Sequence, residues 1–363
     1  MFIEVLFFCA SRDKKSPRWT KVEVGRIDLL SLQKKLVPEM IDLMEKRYRI
    51  LYHIQHAQPI GRRSLMNAVD LSERVLRAEV ELLKKQQLIK VESIGMSLTN
   101  QGEEVVTKLF SIMNTVNGTT SKEKALALKY GISKVFILPG DCDQAITEKD
   151  KLGKKAAEEL VKILEEEDIL AVTGGSTIRA VANQIQSDMV RTKPNVVVPA
   201  RGSFGGNVEA QANIICSQIA NKFSTPYITL YLPDQLSETS LQLISQEPEI
   251  KLALEYLHQS TVVLHGIGDA LTMANKRNTD KKPVELLEQE EAIGEAFGAY
   301  FNKEGKVVHQ LLTVGLQIEQ LHNKKHVIAV AGGASKSEAI KAYLKLAPAS
   351  TILITDEVVA NNL

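Results

Sequence analysis

The sequence has little cysteine and no long apolar run, and each absence excludes a class of protein. Only three cysteines occur among 363 residues (Cys9, Cys142 and Cys216), and this odd number without metal-ligand spacing indicates a reducing cytoplasm. Apolar runs such as Val196–Ala200 have the length of a strand, far below the roughly 20 residues that cross a bilayer. The remaining composition, 44% hydrophobic and 25% charged, is typical of a globular protein with two or three domains.

The small net charge of +1 hides two regions of opposite sign. Residues 1–90 contain 18 Lys and Arg against 11 Asp and Glu, a balance of +7, and the rest of the chain therefore carries −6. A basic front end on an acidic body indicates that the front end binds a polyanion. Residues 1–30 place apolar residues before basic ones, the reverse of a secretory signal, so we expect a disordered leader there.

The segment 31–114 has the pattern of a winged helix-turn-helix domain. Apolar residues recur at helical spacing over 32–54. A short helix over Arg62–Val69, a tight turn and a second helix over Ser72–Gln86 follow, and the Ser72 hydroxyl is expected to cap the second helix. A short helix, a tight turn and an amphipathic helix in this order are typical of a DNA-reading unit.

The second helix of this unit carries arginines on the face opposite its apolar stripe. The stripe is predicted from Val75, Leu76, Val80 and Leu83. Arginine near the start of a recognition helix can donate two hydrogen bonds to a guanine edge, and basic residues nearby suit phosphates. The residues predicted to contact operator DNA are Arg62, Arg63, Ser72, Glu73, Arg74 and Arg77.

A β-hairpin is predicted to form the wing. Leu88–Glu92 and Met96–Leu98 alternate in polarity on either side of a glycine turn. Asn100 and Glu103 resemble a capping box, which predicts a following helix over Glu103–Met113. The wing and the basic balance favour DNA binding over the alternative, a generic three-helix unit with solvated charges.

From residue 115 to 363 the chain repeats a β-branched strand, a glycine loop and a helix. Strands are predicted at Lys134–Leu138, Asp168–Val172, Asn195–Pro199, Ile228–Leu232, Thr261–His265, Val327–Val330 and Thr351–Thr355. Near-continuous apolar strands that alternate with helices indicate a doubly wound, mostly parallel α/β sheet. We therefore predict an α/β effector-binding and oligomerisation domain over 115–363.

Four glycine loops are predicted at the carboxyl ends of these strands, where such sheets bind ligands. Thr173–Thr177 and Gly332–Lys336 each precede a helix, whose open N–H groups and positive dipole end favour an anion. Lys336 adds a mobile charge, and Arg201 can offer a forked contact to a phosphate. Together these features favour a small molecule with two phosphates over simple tight turns. The standard nucleotide motifs are missing from these strand ends.

This combination resembles the SorC-type sugar-responsive bacterial repressors. The motifs that carry the resemblance include Ser72-Glu73-Arg74-Val75-Leu76-Arg77, Ala171-Val172-Thr173-Gly174-Gly175, Pro199-Ala200-Arg201-Gly202, Gln211-Ala212-Asn213, Arg277-Asn278-Thr279, Glu295-Ala296-Phe297-Gly298 and Ala331-Gly332-Gly333. The resemblance implies an effector domain that resembles sugar-phosphate isomerases and has lost catalysis. It also implies that fructose 1,6-bisphosphate or a related phosphosugar is the effector, and that the operator lies ahead of glycolytic genes.

The resemblance further implies which residues bind the effector: Thr173, Gly174, Gly175, Ser176, Thr177, Arg201, Gly202, Gln211, Arg277, Glu295 and Lys336. Double-stranded operator DNA, a phosphorylated sugar and a second copy of the chain, as a homodimer or homotetramer, are the expected partners, because operators are read by paired recognition helices. No metal, cofactor or membrane is expected to take part.

Two other functions remain open at this point. A sugar-phosphate isomerase or deaminase with a DNA-binding appendage would need a general acid and base, for which Asp269, Glu295 and His265 are candidates. His265 ends an apolar strand, however, and is expected to be packed there. An interaction scaffold is the third possibility, and it leaves the glycine loops without a role.

Overall fold

The computed structural model describes residues 36–69, 71–116, 119–202, 208–233, 236–277 and 281–363. The predicted leader, residues 1–30, lies outside these ranges. The chain divides into two units, Met1–Gly118 and Thr119–Leu363. Every helix in the described ranges is too short or too polar to span a bilayer.

The first unit has the elements of a winged helix-turn-helix. Its elements are α1 (Pro38–Ala57), α2 (Arg62–Val69), α3 (Glu73–Lys85), β1 (Ile89–Glu92), β2 (Gly95–Leu98) and α4 (Asn100–Val116). Pro38 occupies the first turn of α1, where its missing N–H breaks no helical hydrogen bond. Ile60 and Met96 exchange two backbone hydrogen bonds (3.0 and 2.9 Å), which attach the hairpin to the segment before α2.

Three local expectations for this unit are wrong. Ser72 is at the N-cap position of α3, but its exposed side chain makes no capping hydrogen bond. Water therefore takes the place of the cap at the first-turn N–H groups. Val75 is 38% exposed, because the core side of α3 is centred on Leu76 and a neighbouring residue lies about 100° around the helix. The last helix begins at Asn100, since Thr99 Oγ1 accepts from the Gly102 N–H at 3.0 Å and acts as the cap.

The described residues of the second unit form ten strands, which belong to two sheets, and ten α-helices. These are α5 (Thr119–Tyr130), β3 (Lys134–Leu138), α6 (Ile146–Ile163), β4 (Ile169–Val172), α7 (Ser176–Gln184), β5 (Val196–Pro199), α8 (Ala212–Phe223), α9 (Glu238–Ile244), α10 (Pro248–Gln259), β6 (Val262–Gly266), β7 (Gly268–Asp269), α11 (Ala270–Lys276), α12 (Lys281–Gln289), β8 (Ala292–Ala296), β9 (Ala299–Asn302), β10 (Val307–Gln310), β11 (His326–Val330), α13 (Ser337–Tyr343), β12 (Thr351–Asp356) and α14 (Glu357–Asn362). Short 3₁₀ helices lie at Val208–Ala210, Ile318–Asn323 and Ala334–Lys336.

The main sheet is parallel throughout and has six strands in the order β3-β12-β11-β6-β4-β5. One face packs against α5, α10, α13 and α14 around a core that includes Val263, Ala329 and Leu353. The connection after β4 leads to β5, whereas the strands from β6 onward lie on the other side of β4. Their diverging connections create a crevice at the carboxyl ends of β4 and β6, and the prediction of a mostly parallel α/β sheet is confirmed.

A second sheet was not predicted, and one predicted strand is absent. Strands β7 to β10 form an antiparallel sheet in the order β10-β9-β8-β7. The segment Ile228–Leu232 is not a strand, although the Ile228 N–H donates to Val197 of the edge strand β5. The reason is the side-chain amide of Asn213 on α8, which takes the place of a strand partner. Its Oδ1 accepts from the Leu230 N–H at 2.8 Å, and its Nδ2 donates to Leu230 O at 3.0 Å.

Candidate functional site

A cavity of about 340 Å³ lies at the crevice where β4, β5 and β6 end, a volume within the range of small-molecule sites. Every residue that the sequence predicted to bind the effector lines this cavity. The main sheet supplies the strand-end loops, and the antiparallel sheet supplies the opposite wall through Glu295, Ala296 and Phe297. The structure thus brings the predicted residues together, while their role as ligand contacts stays a prediction.

The loop Thr173–Thr177 has open donors of the kind that suit an anion. Gly175 caps α7 with a φ of +115°, a conformation that L-residues avoid. The first N–H group that is bonded within α7 is that of Arg179, which donates to Gly175 O at 3.0 Å. The N–H groups of Ser176 and Thr177 precede it in the first turn and therefore stay open. Thr173 Oγ1 is buried in this loop with no hydrogen-bond partner among the described residues. These donors can hold a phosphate.

The opposite wall carries a buried cluster of two arginines around one carboxylate. Glu295 Oε1 accepts from Arg201 Nη1 (2.9 Å), Arg277 Nη2 (3.0 Å) and the Gly298 N–H (2.7 Å). Burial acts to raise the pKa of Glu295, but Arg277 and Arg201 outweigh it, and the pKa lies below its usual value. Glu295 therefore stays ionised and holds both guanidinium groups at the cavity wall. Arg201 uses Nη1 for this pair, and a forked contact from its guanidinium group to a phosphate stays a prediction.

A tight hairpin turn positions this carboxylate. Phe297 and Gly298 connect β8 to β9 with φ values of +55° and +80°, the two positive angles of a two-residue hairpin. A Cβ atom on Gly298 would lie 3.2 Å from Arg201 Nη2 and 3.1 Å from Thr313. Glycine at this turn therefore lets the arginine reach Glu295.

The second glycine loop, Gly332–Lys336, does not present open donors, contrary to the sequence expectation. The Gly333 N–H donates to Asp356 Oδ2 at 2.6 Å, and the Ser335 N–H donates to Asp143 Oδ2 at 2.8 Å. The Ala334 N–H has a third acceptor, Asp141 Oδ1, at 3.3 Å. Carboxylates of the chain itself occupy the anion-binding turn, and only Lys336 of this loop lines the cavity.

Lys336 and Lys276 give the cavity its excess positive charge. Lys336 makes no hydrogen bond or ion pair with any residue in the described ranges. Burial lowers its pKa, and the nearby ammonium groups of Lys149 and Lys276 lower it further. Four basic side chains and one carboxylate line the described part of the cavity, a formal charge of +3. The sequence analysis missed Lys276, which directly precedes the predicted contact Arg277.

The candidate acid and base groups are engaged in structural hydrogen bonds. His265 is fully buried; Nδ1 donates to Gly266 O (3.0 Å), so Nε2 accepts from Tyr343 Oη (2.8 Å). Burial lowers the pKa of His265 to about 4, which keeps the ring neutral. Asp269 caps α11 by accepting from the Thr272 N–H at 2.8 Å. This arrangement favours binding over proton transfer. In the described ranges no group of His, Cys, Asp and Glu is placed to hold a metal ion.

The predicted DNA-contacting residues are all exposed on α2 or at the start of α3: Arg62, Arg63, Ser72, Glu73, Arg74 and Arg77. Two partly buried ion pairs connect α3 to α1, because Glu79 contacts Lys46 (2.6 Å) and Arg47 (2.9 Å). Burial acts to raise the pKa of Glu79, but the two cations outweigh it and lower the pKa. Sequence reasoning missed this cluster, since Glu79 has the pattern of a surface residue.

Comparison with known proteins matches both units. The family model of the CggR N-terminal DNA binding domain matches residues 43–113, and a sugar-binding domain model, Sugar-bind, matches residues 114–363. The central glycolytic genes regulator of Priestia megaterium is 44% identical over 337 residues, 92% of this chain and 98% of the relative. The regulator of the same name from Bacillus subtilis is 42% identical over 335 residues, again 92% and 98%.

A solved structure shows the fold of the second unit. A SorC family transcriptional regulator from Enterococcus faecalis superposes with a TM-score of 0.63 at 37% sequence identity. The match covers 67% of this chain and 98% of that chain. The crevice and its lining loops therefore belong to a fold that is found in sugar-responsive transcriptional regulators.

Proposed function

Because this chain belongs to the family of the central glycolytic genes regulators, with a DNA-binding domain followed by a sugar-binding domain, we propose that it represses glycolytic genes under the control of fructose 1,6-bisphosphate. That the chain is a sugar-responsive transcriptional regulator follows from the family. The identity of the effector and of the regulated genes is the proposal.

The positive charge of the cavity is the observation that supports a bisphosphate effector. An excess of +3 in a crevice of about 340 Å³ is costly without a counterion and suits a ligand with several negative charges. One phosphate fits the open N–H groups at the start of α7, beside the unpartnered hydroxyl of Thr173. The second phosphate is assigned to Lys276 and Lys336, which supply two mobile point charges.

The sugar between the phosphates needs hydrogen-bonding partners. Glu295 Oε1 is saturated by three donors, whereas Oε2 accepts no hydrogen bond from a described residue and is assigned to a sugar hydroxyl. Gln211, at the N-cap position of α8, offers an amide from the neighbouring wall. Phe297 and Ile178 supply apolar surface for the carbon skeleton. No cofactor is part of this proposal.

The regulatory step is a difference in affinity. The chain acts as a homodimer or homotetramer in the cytoplasm, and the bisphosphate binds one quaternary arrangement better than the other. A difference of about 1–3 kcal/mol is typical of such coupling. Ligand contacts on α7 and on the antiparallel sheet tighten the effector domain, change the subunit contacts and release the recognition helices from their half-sites.

A melting-temperature panel tests the effector. Fructose 1,6-bisphosphate, fructose 6-phosphate, dihydroxyacetone phosphate and inorganic phosphate are compared at equal concentration. We expect the largest shift with the bisphosphate, since a ligand at 100 times its Kd adds about 2.7 kcal/mol to the stability of the folded state. Equal shifts with all four compounds would contradict a bisphosphate site. The same mixtures, assayed for new sugar phosphates, are expected to show no turnover.

Operator release tests the regulatory step. The bisphosphate should weaken binding to operator DNA, and Lys276→Ala should need a higher concentration for the same release. Arg77→Ala is the matched control, because it should weaken operator binding while sugar-phosphate binding is unchanged. Operator binding that is insensitive to every sugar phosphate in the panel would rule out this mode of control.

A further inference from the structure

Val75 is an exposed apolar residue on the recognition helix. Val75 lies within three residues of the start of α3. Its side chain is 38% exposed, whereas the next residue, Leu76, is fully buried. Valine on an exposed helix face gains nothing from burial and lowers helix propensity. A helix that reads DNA has a use for such a residue that an ordinary surface helix does not have.

Helical geometry places Val75 with Arg74 and Ala78. Successive residues are about 100° apart around the axis, so Arg74 and Ala78 lie about 40° apart and Val75 about 60° beyond Ala78. All three are exposed, while Leu76 and Val80 point to the core. The outward face of α3 thus combines the guanidinium groups of Arg74 and Arg77 with a small apolar patch.

The surroundings of this patch favour nucleic acid as its partner. The exposed basic residues of α2 and α3 outnumber the exposed Glu73 and Glu81, and the resulting positive surface complements phosphates rather than an apolar protein: Arg62, Arg63, Arg74, Arg77, Lys84 and Lys85. In the major groove the apolar group of the base edges is the C5-methyl of thymine. Arginine recognises guanine there, so the face has the chemistry for two different bases.

We propose that Val75 contacts the C5-methyl group of a thymine in the major groove and makes the operator specific for that base. The inference rests on the DNA-binding role of the first unit and does not depend on the identity of the sugar effector. Ala78 lies beside the contact and leaves room for the methyl group.

Uracil provides a direct test, because it differs from thymine only by that methyl group. Duplexes are first selected from random sequence by the full-length protein without sugar phosphate. The preferred duplex is then made with thymine or with uracil throughout. We expect the wild-type protein to bind the uracil duplex about fourfold more weakly, the loss for one buried methylene-sized group. Val75→Ala should bind both duplexes equally.

Val91→Ala is the matched control. Val91 is a valine of similar exposure, 37%, but it lies on β1 of the hairpin. This variant should keep the fourfold preference for thymine. Single uracil substitutions in the preferred duplex then identify the thymine that Val75 contacts.

Two outcomes would overturn the assignment. If wild-type protein binds thymine and uracil duplexes equally, no methyl group is recognised. This outcome is measured on the wild-type protein alone, so it does not depend on whether a variant folds. If Val75→Ala keeps the full preference, another residue reads the methyl group. Failure to enrich any duplex would remove both this inference and sequence-specific repression, whereas a failed sugar-phosphate panel would leave the inference intact.

Discussion

The two glycine loops of the second unit have similar sequences and opposite electrostatics. Thr173–Thr177 and Gly332–Lys336 each join a buried parallel strand to a helical turn, and each contains a glycine with positive φ at the N-cap. The first loop leaves the N–H groups of Ser176 and Thr177 open. The second loop donates its N–H groups to three carboxylates of the same chain.

In both loops the backbone N–H groups are placed to suit an anion. In the second loop the fold supplies it, through Asp356 on the adjacent strand β12 and through Asp141 and Asp143 after β3. In the first loop no carboxylate of the described chain does so, and we propose that a ligand phosphate completes the turn. On this proposal one loop stabilises the fold and the other keeps its donors open for the effector.

Removal of the internal anion should give the largest effect. Asp356 is buried, and its carboxylate accepts from Gly333 N (2.6 Å), Cys142 N (2.9 Å) and Val359 N (3.0 Å). Asp356→Ala leaves three buried donors without a partner and removes the cap of α14. We expect the free energy of unfolding to fall by about 4 kcal/mol. Urea denaturation of the full-length protein, followed by circular dichroism, measures the change.

Asp143→Ala is the control for this comparison. Asp143 serves the same loop through Ser335, but it is exposed, so water can replace it. We expect a loss below about 1 kcal/mol. Equal losses for the two variants would show that the buried anion has no special role in the loop.

The opposite experiment closes the open loop. Ser176→Asp places a carboxylate at the first position of α7, where it can accept from the free N–H groups and interact favourably with the helix dipole. We expect about 100-fold weaker binding of fructose 1,6-bisphosphate, equivalent to about 2.7 kcal/mol, with a melting temperature that is unchanged or higher. Titration calorimetry measures the affinity. Ser176→Ala should lose less than tenfold, and tight binding by Ser176→Asp would mean that the phosphate sits elsewhere.

These loops also show how far the sequence determines the site. Strand-end position brought the loop residues, Arg201 and Lys336 together, because the carboxyl ends of neighbouring parallel strands meet at one edge. Only the family resemblance added Gln211, Arg277 and Glu295 to the predicted set. The occupant of each loop could not be predicted. The acceptors Asp141 and Asp143 lie 193 and 192 positions before their donors, and no local pattern connects them. Glu295 likewise reaches Arg201 across 94 positions.

The fold was predictable where a segment forms its structure locally. The strands of the main sheet are near-continuous apolar runs between glycine loops and helices, and α2 and α3 have helical periodicity. Strands β7 to β9 escaped prediction because they are two to five residues long and lack the β-branched run that marks the strands of the main sheet. Ile228–Leu232 has the composition of a strand, but the Asn213 amide forms the backbone hydrogen bonds that a neighbouring strand would form.

The basic residues of the cavity should give a smaller effect than the loops. Lys336→Ala removes one mobile charge, and we expect about tenfold weaker bisphosphate binding, about 1.4 kcal/mol, with no change in operator affinity. Lys276→Ala should behave in the same way. Calorimetry on each variant and on the double variant tests whether both lysines serve one phosphate, in which case the losses are not additive. Normal binding by Lys336→Ala would contradict the assignment of the second phosphate.

Proton uptake should give the smallest effect and separates Lys336 from the open loop. Burial lowers the pKa of Lys336, Lys149 and Lys276 lower it further, and Asp143 and Cys142 act in the opposite direction. A bound phosphate favours the charged amine and raises this pKa. Affinity should therefore be constant at lower pH and fall over the pH window in which Lys336 of the free protein loses its proton. The phosphate groups, with a pKa of about 6, are already dianions in this window.

Calorimetry in two buffers of different ionisation enthalpy should detect proton uptake by the wild type and by Ser176→Ala, but not by Lys336→Ala. Uptake that persists in Lys336→Ala would assign the titration to another group.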